Sequence, residues 1–149
     1  MQQTQKNNTI PLEIELADGA AAPHYASSGA AGCDLRAFIP AALTLEPGTS
    51  TLVPTGIKAA IPEGYEIQIR PRSGLALKEQ VTVLNTPGTI DSDYRGEICV
   101  ILINHGKRPF VIEPGMRIAQ MVLAPYCRAE FVETKELSTT TRGHGGFGH

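Results

Sequence analysis

Cysteine is scarce in this chain of 149 residues: Cys33, Cys99 and Cys127 are odd in number, lie far apart and form no CxxC pair. That pattern indicates neither a disulfide framework nor a zinc site, and predicts reduced thiols in a cytoplasmic protein. A basic surplus is missing as well. With 13 Lys and Arg against 15 Asp and Glu and a pI near 6.1, the chain lacks the concentrated basic face that neutralises nucleic-acid phosphates, whereas a small anionic ligand needs only a few local cations. No apolar run reaches membrane-spanning length, and MQQTQKNNT at the start has neither the basic opening nor the apolar stretch of a signal peptide, so no membrane partner is expected. The histidines His24, His105, His144 and His149 show no ligand spacing such as HExxH, and GxxxxGK[ST] is absent. No catalytic histidine is suggested, and any triphosphate must be held without a P-loop.

A domain of this length buries roughly two thirds of its extended-chain surface in one core, and neither an internal repeat nor a linker divides the chain. Fifteen glycines and eleven prolines punctuate it, as in Pro47-Gly48, Pro62-Glu63-Gly64, Pro87-Gly88 and Pro114-Gly115, a spacing that predicts short strands joined by turns. Leu12, Ile14 and Leu16 alternate with Glu13 and Glu15, and Tyr65, Ile67 and Ile69 alternate with Glu66, Gln68 and Arg70. Both read as half-buried strands. Ile98 to Ile103 is continuously apolar and closed by Asn104-His105-Gly106, which predicts a strand covered on both faces. Only Ser73 to Gln80 resembles a helix, barely two turns long, with Ser73 as its cap. The fold class is all-β, a sandwich or barrel of short strands with one short helix. From Ser138 onward the composition shifts to Ser and Thr and then to RGHGGFGH, so 1–137 is expected to form the domain and 138–149 a flexible Gly-rich tail.

Two of only four aspartates, Asp91 and Asp93, fall in the connection GTIDSDYRGEI. Their spacing resembles the start of a calcium loop, but Arg95 stands at the fifth position and Leu102 at the twelfth, where a bidentate Glu is required. A hairpin turn with solvated charges is the plainer reading, although Tyr94 beside the acids offers a ring for stacking that turning does not need. Arg72-Ser73-Gly74 combines a guanidinium, a hydroxyl and a close-approach glycine suited to an anion; alternatively Ser73 caps a helix and Arg72 is solvated. Asp34, within an apolar strand, must find a partner in Arg36 or another arginine, or face an opening. Gln120 is a polar residue in an apolar strand, either a satisfied amide or a ligand group. The tail is either disordered or a lid with Arg142 on phosphates and Phe147 on a base.

In order, AGCDLRAF, PRSGLALK, NTPGTIDSDYRGEI, GMRIAQ and RGHGGFGH resemble the five motifs of the homotrimeric dUTP diphosphatase family, from Ala31 to the last residues. The resemblance implies a jelly-roll-like β-barrel, a homotrimer with shared active sites, and Mg2+-dependent hydrolysis of dUTP to dUMP and pyrophosphate, which keeps uracil out of DNA and supplies dUMP. It assigns Asp91 as the base that activates the attacking water, Asp34 as the carboxylate holding magnesium through water, and Arg72, Ser73, Gly74 and Gln120 as phosphate contacts. Asn85 with the main chain of Gly88, Thr89, Ile90 and Cys99 corresponds to the uracil reader across the hairpin, Tyr94 to the ring that excludes a 2′-hydroxyl, and Arg142 and Phe147 to the tail contacts. Asp93 is left to shape the turn or to pair with Arg95. Two departures stand out: Cys33, where a larger residue is frequent, which implies packing, and Gly148-His149, where a hydroxyl residue commonly follows Phe-Gly. The rival expectations are a dCTP deaminase, alone or bifunctional, and a catalytically silent nucleotide-sensing trimer.

Overall fold

The alternation in YEIQIR becomes a strand with Ile67 and Ile69 in the core, and the rest of the chain follows the same rule in the computed structural model, which describes residues 8–148. Residues 1–7 of the expected domain and His149 of the expected tail lie outside the described residues. The strands are β1 (Glu13–Leu16), β2 (Cys33–Arg36), β3 (Leu43–Leu45), β4 (Ser50–Ala60), β5 (Tyr65–Arg70), β6 (Val81–Val83), β7 (Gly88–Ile90), β8 (Glu97–Asn104), β9 (Phe110–Ile112) and β10 (Arg117–Pro125). One helix, α1 (Ser73–Glu79), separates β5 from β6 among the described residues.

Two four-stranded antiparallel sheets, ordered β1-β4-β8-β6 and β2-β10-β5-β7, face each other, with the small β3-β9 sheet at the side. The shared core takes Val53, Ile57, Ile98, Val100 and Leu102 from the first sheet and Leu35, Ile67, Ile69, Ile118 and Met121 from the second. This is the jelly-roll-like all-β architecture expected from the sequence. At Pro47-Gly48, Pro62-Glu63-Gly64 and Pro114-Gly115 the glycine adopts the left-handed conformation that turns the chain. Gly88 serves differently: it opens β7, and a Cβ there would meet Asn85 Nδ2 at 3.2 Å.

Three expectations change. Strand β1 is not half-buried: Ile14 and Leu16 are 37% and 44% exposed, and β1 is an edge strand paired only with β4. Strand β8 is covered on one face only. Ile98, Val100, Leu102 and Asn104 are buried while Cys99, Ile101 and Ile103 are half-exposed, since β4 and β6 occupy its edges and leave its outer face open. Ser73 is the first helical residue instead of the cap; Arg72, with extended backbone, is the N-cap and no side chain closes that end.

The segment Asn104-His105-Gly106 does more than end a strand. Asn104 is fully buried, its Nδ2 donates to Leu45 O at 3.0 Å and to Arg108 O at 2.9 Å, and its Oδ1 accepts the Gly106 amide at 2.8 Å. One side chain thus ties β8, the β8-β9 turn and β3 together. Replacing it by alanine orphans buried groups, each costing about 1–3 kcal/mol; Asn104→Ala is expected to lose about 3 kcal/mol, read as a fall in Tm of roughly 6–12 °C. A shift under about 2 °C in thermal denaturation would show that water replaces the amide without penalty.

Candidate active site

The connection from β7 to β8 is not a hairpin between paired neighbours. Strand β7 ends the second sheet beside β5, whereas β8 sits inside the first sheet between β4 and β6, so GTIDSDYRGEI crosses from one sheet to the other. The diverging strands leave a cleft of about 310 Å³. Asn85, Gly88, Thr89, Ile90, Asp91, Tyr94 and Cys99 all line it, seven residues singled out from the sequence. Because β7 pairs on one edge alone, its other edge offers unpaired main-chain N–H and C=O groups, the hydrogen-bonding groups a flat heterocycle needs. Leu52, Ile98 and Ile101 add an apolar wall that sequence reading missed. For Leu52 and Ile101, which stand opposite each other in register, the signal is the apolar outer face of β8, whereas Ile98 belongs to its buried face; the sequence reads the whole run as a strand covered on both faces.

Asp91 follows directly on β7 and is exposed. Its main-chain carbonyl accepts the Tyr94 amide at 3.1 Å, so backbone holds the turn; among the described residues the carboxylate has no hydrogen-bond or ion-pair partner. Asp91 also borders a larger polar concavity containing Asp93, Arg95 and Arg128. The expected pairing of Asp93 with Arg95 does not occur. Arg95 Nη1 instead donates to Ser92 O at 2.6 Å and Tyr94 O at 3.1 Å, where converging turn carbonyls hold it. Tyr94 donates its hydroxyl to Glu97 O at 2.9 Å, and Glu97 Oε1 accepts the Gly56 amide at 2.8 Å in the bulge of β4. Burial, helped by the Glu97 charge, pushes the Cys99 thiol above its ordinary pKa, so it stays protonated at neutral pH.

A second group assembles where β2, β10 and the start of α1 meet. Asp34 lies opposite Gln120 in the β2-β10 register, and its side chain, only 17% exposed, stands 3.8 Å from Arg72 Nε and 3.5 Å from Arg117 Nη1. The partner is therefore not Arg36, which points its guanidinium at Gly115 O, 2.8 Å away. Two guanidiniums against one carboxylate leave this patch positive. Arg72 Nη1 donates to Arg117 O at 3.2 Å and Gln120 Nε2 to Pro71 O at 3.0 Å, fixing both side chains beside Ser73 and Gly74. Arg117 was overlooked in GMRIAQ because position in a strand does not reveal which carboxylate a long side chain reaches. Cys33 is buried, with its thiol donating to Met121 O at 3.6 Å, a packing role that fits the sequence reading. The three cysteines are free.

Among the described residues the tail joins neither group. Arg142 Nε donates to Gly145 O at 2.6 Å, closing a local turn, and Phe147 is fully exposed. No helix among the described residues is long and apolar enough to cross a membrane.

The model of the dUTPase family matches residues 18–149. The chain belongs to the dUTPase family. It is accordingly an enzyme, a hydrolase of nucleotide metabolism. The deoxyuridine 5'-triphosphate nucleotidohydrolase of Chlamydia pneumoniae is 64% identical over 136 residues, covering 91% of this chain and 94% of the relative. That of Beijerinckia indica is 62% identical over 134 residues, covering 89% and 84%. Among solved dUTPases, that of Staphylococcus bacteriophage 80alpha with dUPNHPP superposes with a TM-score of 0.85 at 26% identity, over 94% of this chain and 98% of the other. A dUTPase mutant from phage phi11 of S. aureus, described with a structural Mg(II) ion, shares the fold with a TM-score of 0.76 at 22% identity, over 85% and 98%.

Proposed function

We propose that the chain hydrolyses dUTP to dUMP and pyrophosphate, with Asp91 as general base. The observation that supports this most is the unpartnered Asp91 carboxylate at the rim of a cleft whose walls suit a nucleoside. In this reading the base lies between β7 and β8, where Asn85 and the main chain of Gly88, Thr89, Ile90 and Cys99 pair with the edge of uracil. Cytosine presents a donor where the site also donates, leaving buried groups unpaired, which discriminates more strongly than size. Tyr94 closes the sugar side against a 2′-hydroxyl. Asp91 takes a proton from water as the water oxygen bonds to the α-phosphorus; the bond from that phosphorus to the bridging oxygen breaks, and pyrophosphate leaves.

Arg72, Ser73, Gly74 and Gln120 bind the phosphates and spread their charge, the main source of catalysis in phosphoryl chemistry. One carboxylate and one amide oxygen are too few for an all-protein metal cage, but they suit Mg2+, which keeps its waters and binds chiefly through substrate phosphates. Gly32 leaves room for that amide, since a Cβ there would collide with Gln120 Oε1. Asp34 and Gln120 would hold the ion through its waters, and it would supply neutralisation of the triphosphate. None of Asp34, Arg72 and Gln120 lines the nucleoside cleft, which favours a homotrimer in which neighbouring subunits complete each site. Residues 1–137 then form the barrel domain, and 138–149 the tail that brings Arg142 and Phe147 over a neighbour's site, in the cytoplasm.

The test is pyrophosphate release from dUTP, dCTP and UTP with Mg2+. Release from dUTP with dUMP as co-product is expected, together with a sedimentation mass of three times 15.9 kDa. Formation of dUTP or dUMP from dCTP would identify a deaminase instead, and binding without turnover a silent sensor.

A further inference from the structure

We propose that Gly96 determines sugar specificity by seating the ring of Tyr94, an inference that rests on the dUTP-hydrolysing function proposed above. An ideal Cβ on Gly96 would lie 2.5 Å from Tyr94 Oη, 2.6 Å from Cζ and 3.0 Å from Cε2. Real side chains do not tolerate such approach, so the ring rests against a bare α-carbon. Its tip is held by the hydroxyl donated to Glu97 O at 2.9 Å, and Glu97 is itself anchored by the Gly56 amide at 2.8 Å. The rest of the ring has little other support, since Tyr94 is 46% exposed. Gly96 does not have the left-handed backbone that would by itself demand glycine. The constraint there is space.

A methyl at position 96 therefore evicts the ring, and eviction is cheap for the backbone because a χ1 rotation carries the ring into solvent. Tyr94 lines the cleft together with Ile90 and Asp91, so its departure removes one wall while leaving Asp91 and the free edge of β7 in place. Gly96 is thus a positioning residue, acting through Tyr94 without touching substrate. Its loss is expected to appear as lost discrimination against the ribonucleotide before it appears as lost turnover.

The experiment compares kcat/KM for dUTP and UTP in the unaltered chain, Gly96→Ala, Tyr94→Ala, Tyr94→Phe and the Gly96→Ala/Tyr94→Ala double variant. Gly96→Ala and Tyr94→Ala should each lower the dUTP:UTP ratio by about tenfold or more, and the double variant should fall no further than the singles, because both remove one wall. Tyr94→Phe, which keeps the ring on its seat and loses only the hydrogen bond, should retain most of the discrimination. A Gly96→Ala ratio equal to that of the unaltered chain, additive losses in the double variant, or a Tyr94→Phe loss as large as that of Tyr94→Ala would overturn the proposal; the last reading holds even if Gly96→Ala fails to fold. An unchanged ratio in Tyr94→Ala would overturn it through the gate itself, and absence of dUTP turnover by the unaltered chain would remove the function on which it rests.

Discussion

Asp91→Asn is expected to lower dUTP turnover by about 10² to 10⁴, the usual contribution of a positioned general base, while nucleotide still binds. Asparagine has nearly the same shape but cannot accept a proton at neutral pH. The turn does not depend on the carboxylate, because the Asp91 main-chain carbonyl accepts the Tyr94 amide and Arg95 clasps Ser92 O and Tyr94 O. Fold and cleft should therefore survive, which separates lost chemistry from lost structure. Two measurements check this: pyrophosphate release in single turnover, and calorimetric binding of a non-hydrolysable dUTP analogue. Turnover retained by the variant would move the base elsewhere, with Asp93 in the adjoining concavity the next carboxylate to replace.

Removing residues 142–149 is expected to reduce kcat/KM by about 10- to 100-fold, the scale of one charge-assisted hydrogen bond to phosphate, with further loss from the Phe147 stacking contact. Stability should barely change. The contacts of Arg142 and Gly145 are to each other, that of Gly143 is to Thr140 Oγ1, and Phe147 buries nothing. A mixture of the truncated chain with Asp91→Asn should recover part of the lost activity if the tail of one subunit serves the base of another. Unchanged kinetics after truncation would make the tail an ordinary polar end, and absence of recovery would confine each site to one subunit.

Much of the architecture is legible in periodicity. The alternation of YEIQIR named the buried residues Ile67 and Ile69, and the Pro-Gly pairs marked where the chain reverses. Apolar patterning reports which positions of a strand are apolar but not what covers them, so β1 reads as half-buried although it lies at a sheet edge, and β8 reads as covered on both faces although its outer face walls a cleft. The motif residues were legible as a set. Their grouping was not: Arg117 beside Asp34 and Arg72 joins three segments that are far apart in sequence, and no local rule predicts which guanidinium reaches a given carboxylate.

An all-β chain with one short helix, the places where it turns, and membership of a family through five ordered motifs are all legible in the order of residues, because strand periodicity, turn residues and motifs are local properties. Tertiary structure alone decided that β7 and β8 belong to different sheets, which turns an acid-rich connection into the rim of a cleft. It also decided that Gly96 lies beneath the Tyr94 ring, and that Asp34 answers to two arginines. Those relations depend on long-range strand pairing and on the close approach of atoms, which a one-dimensional pattern does not carry.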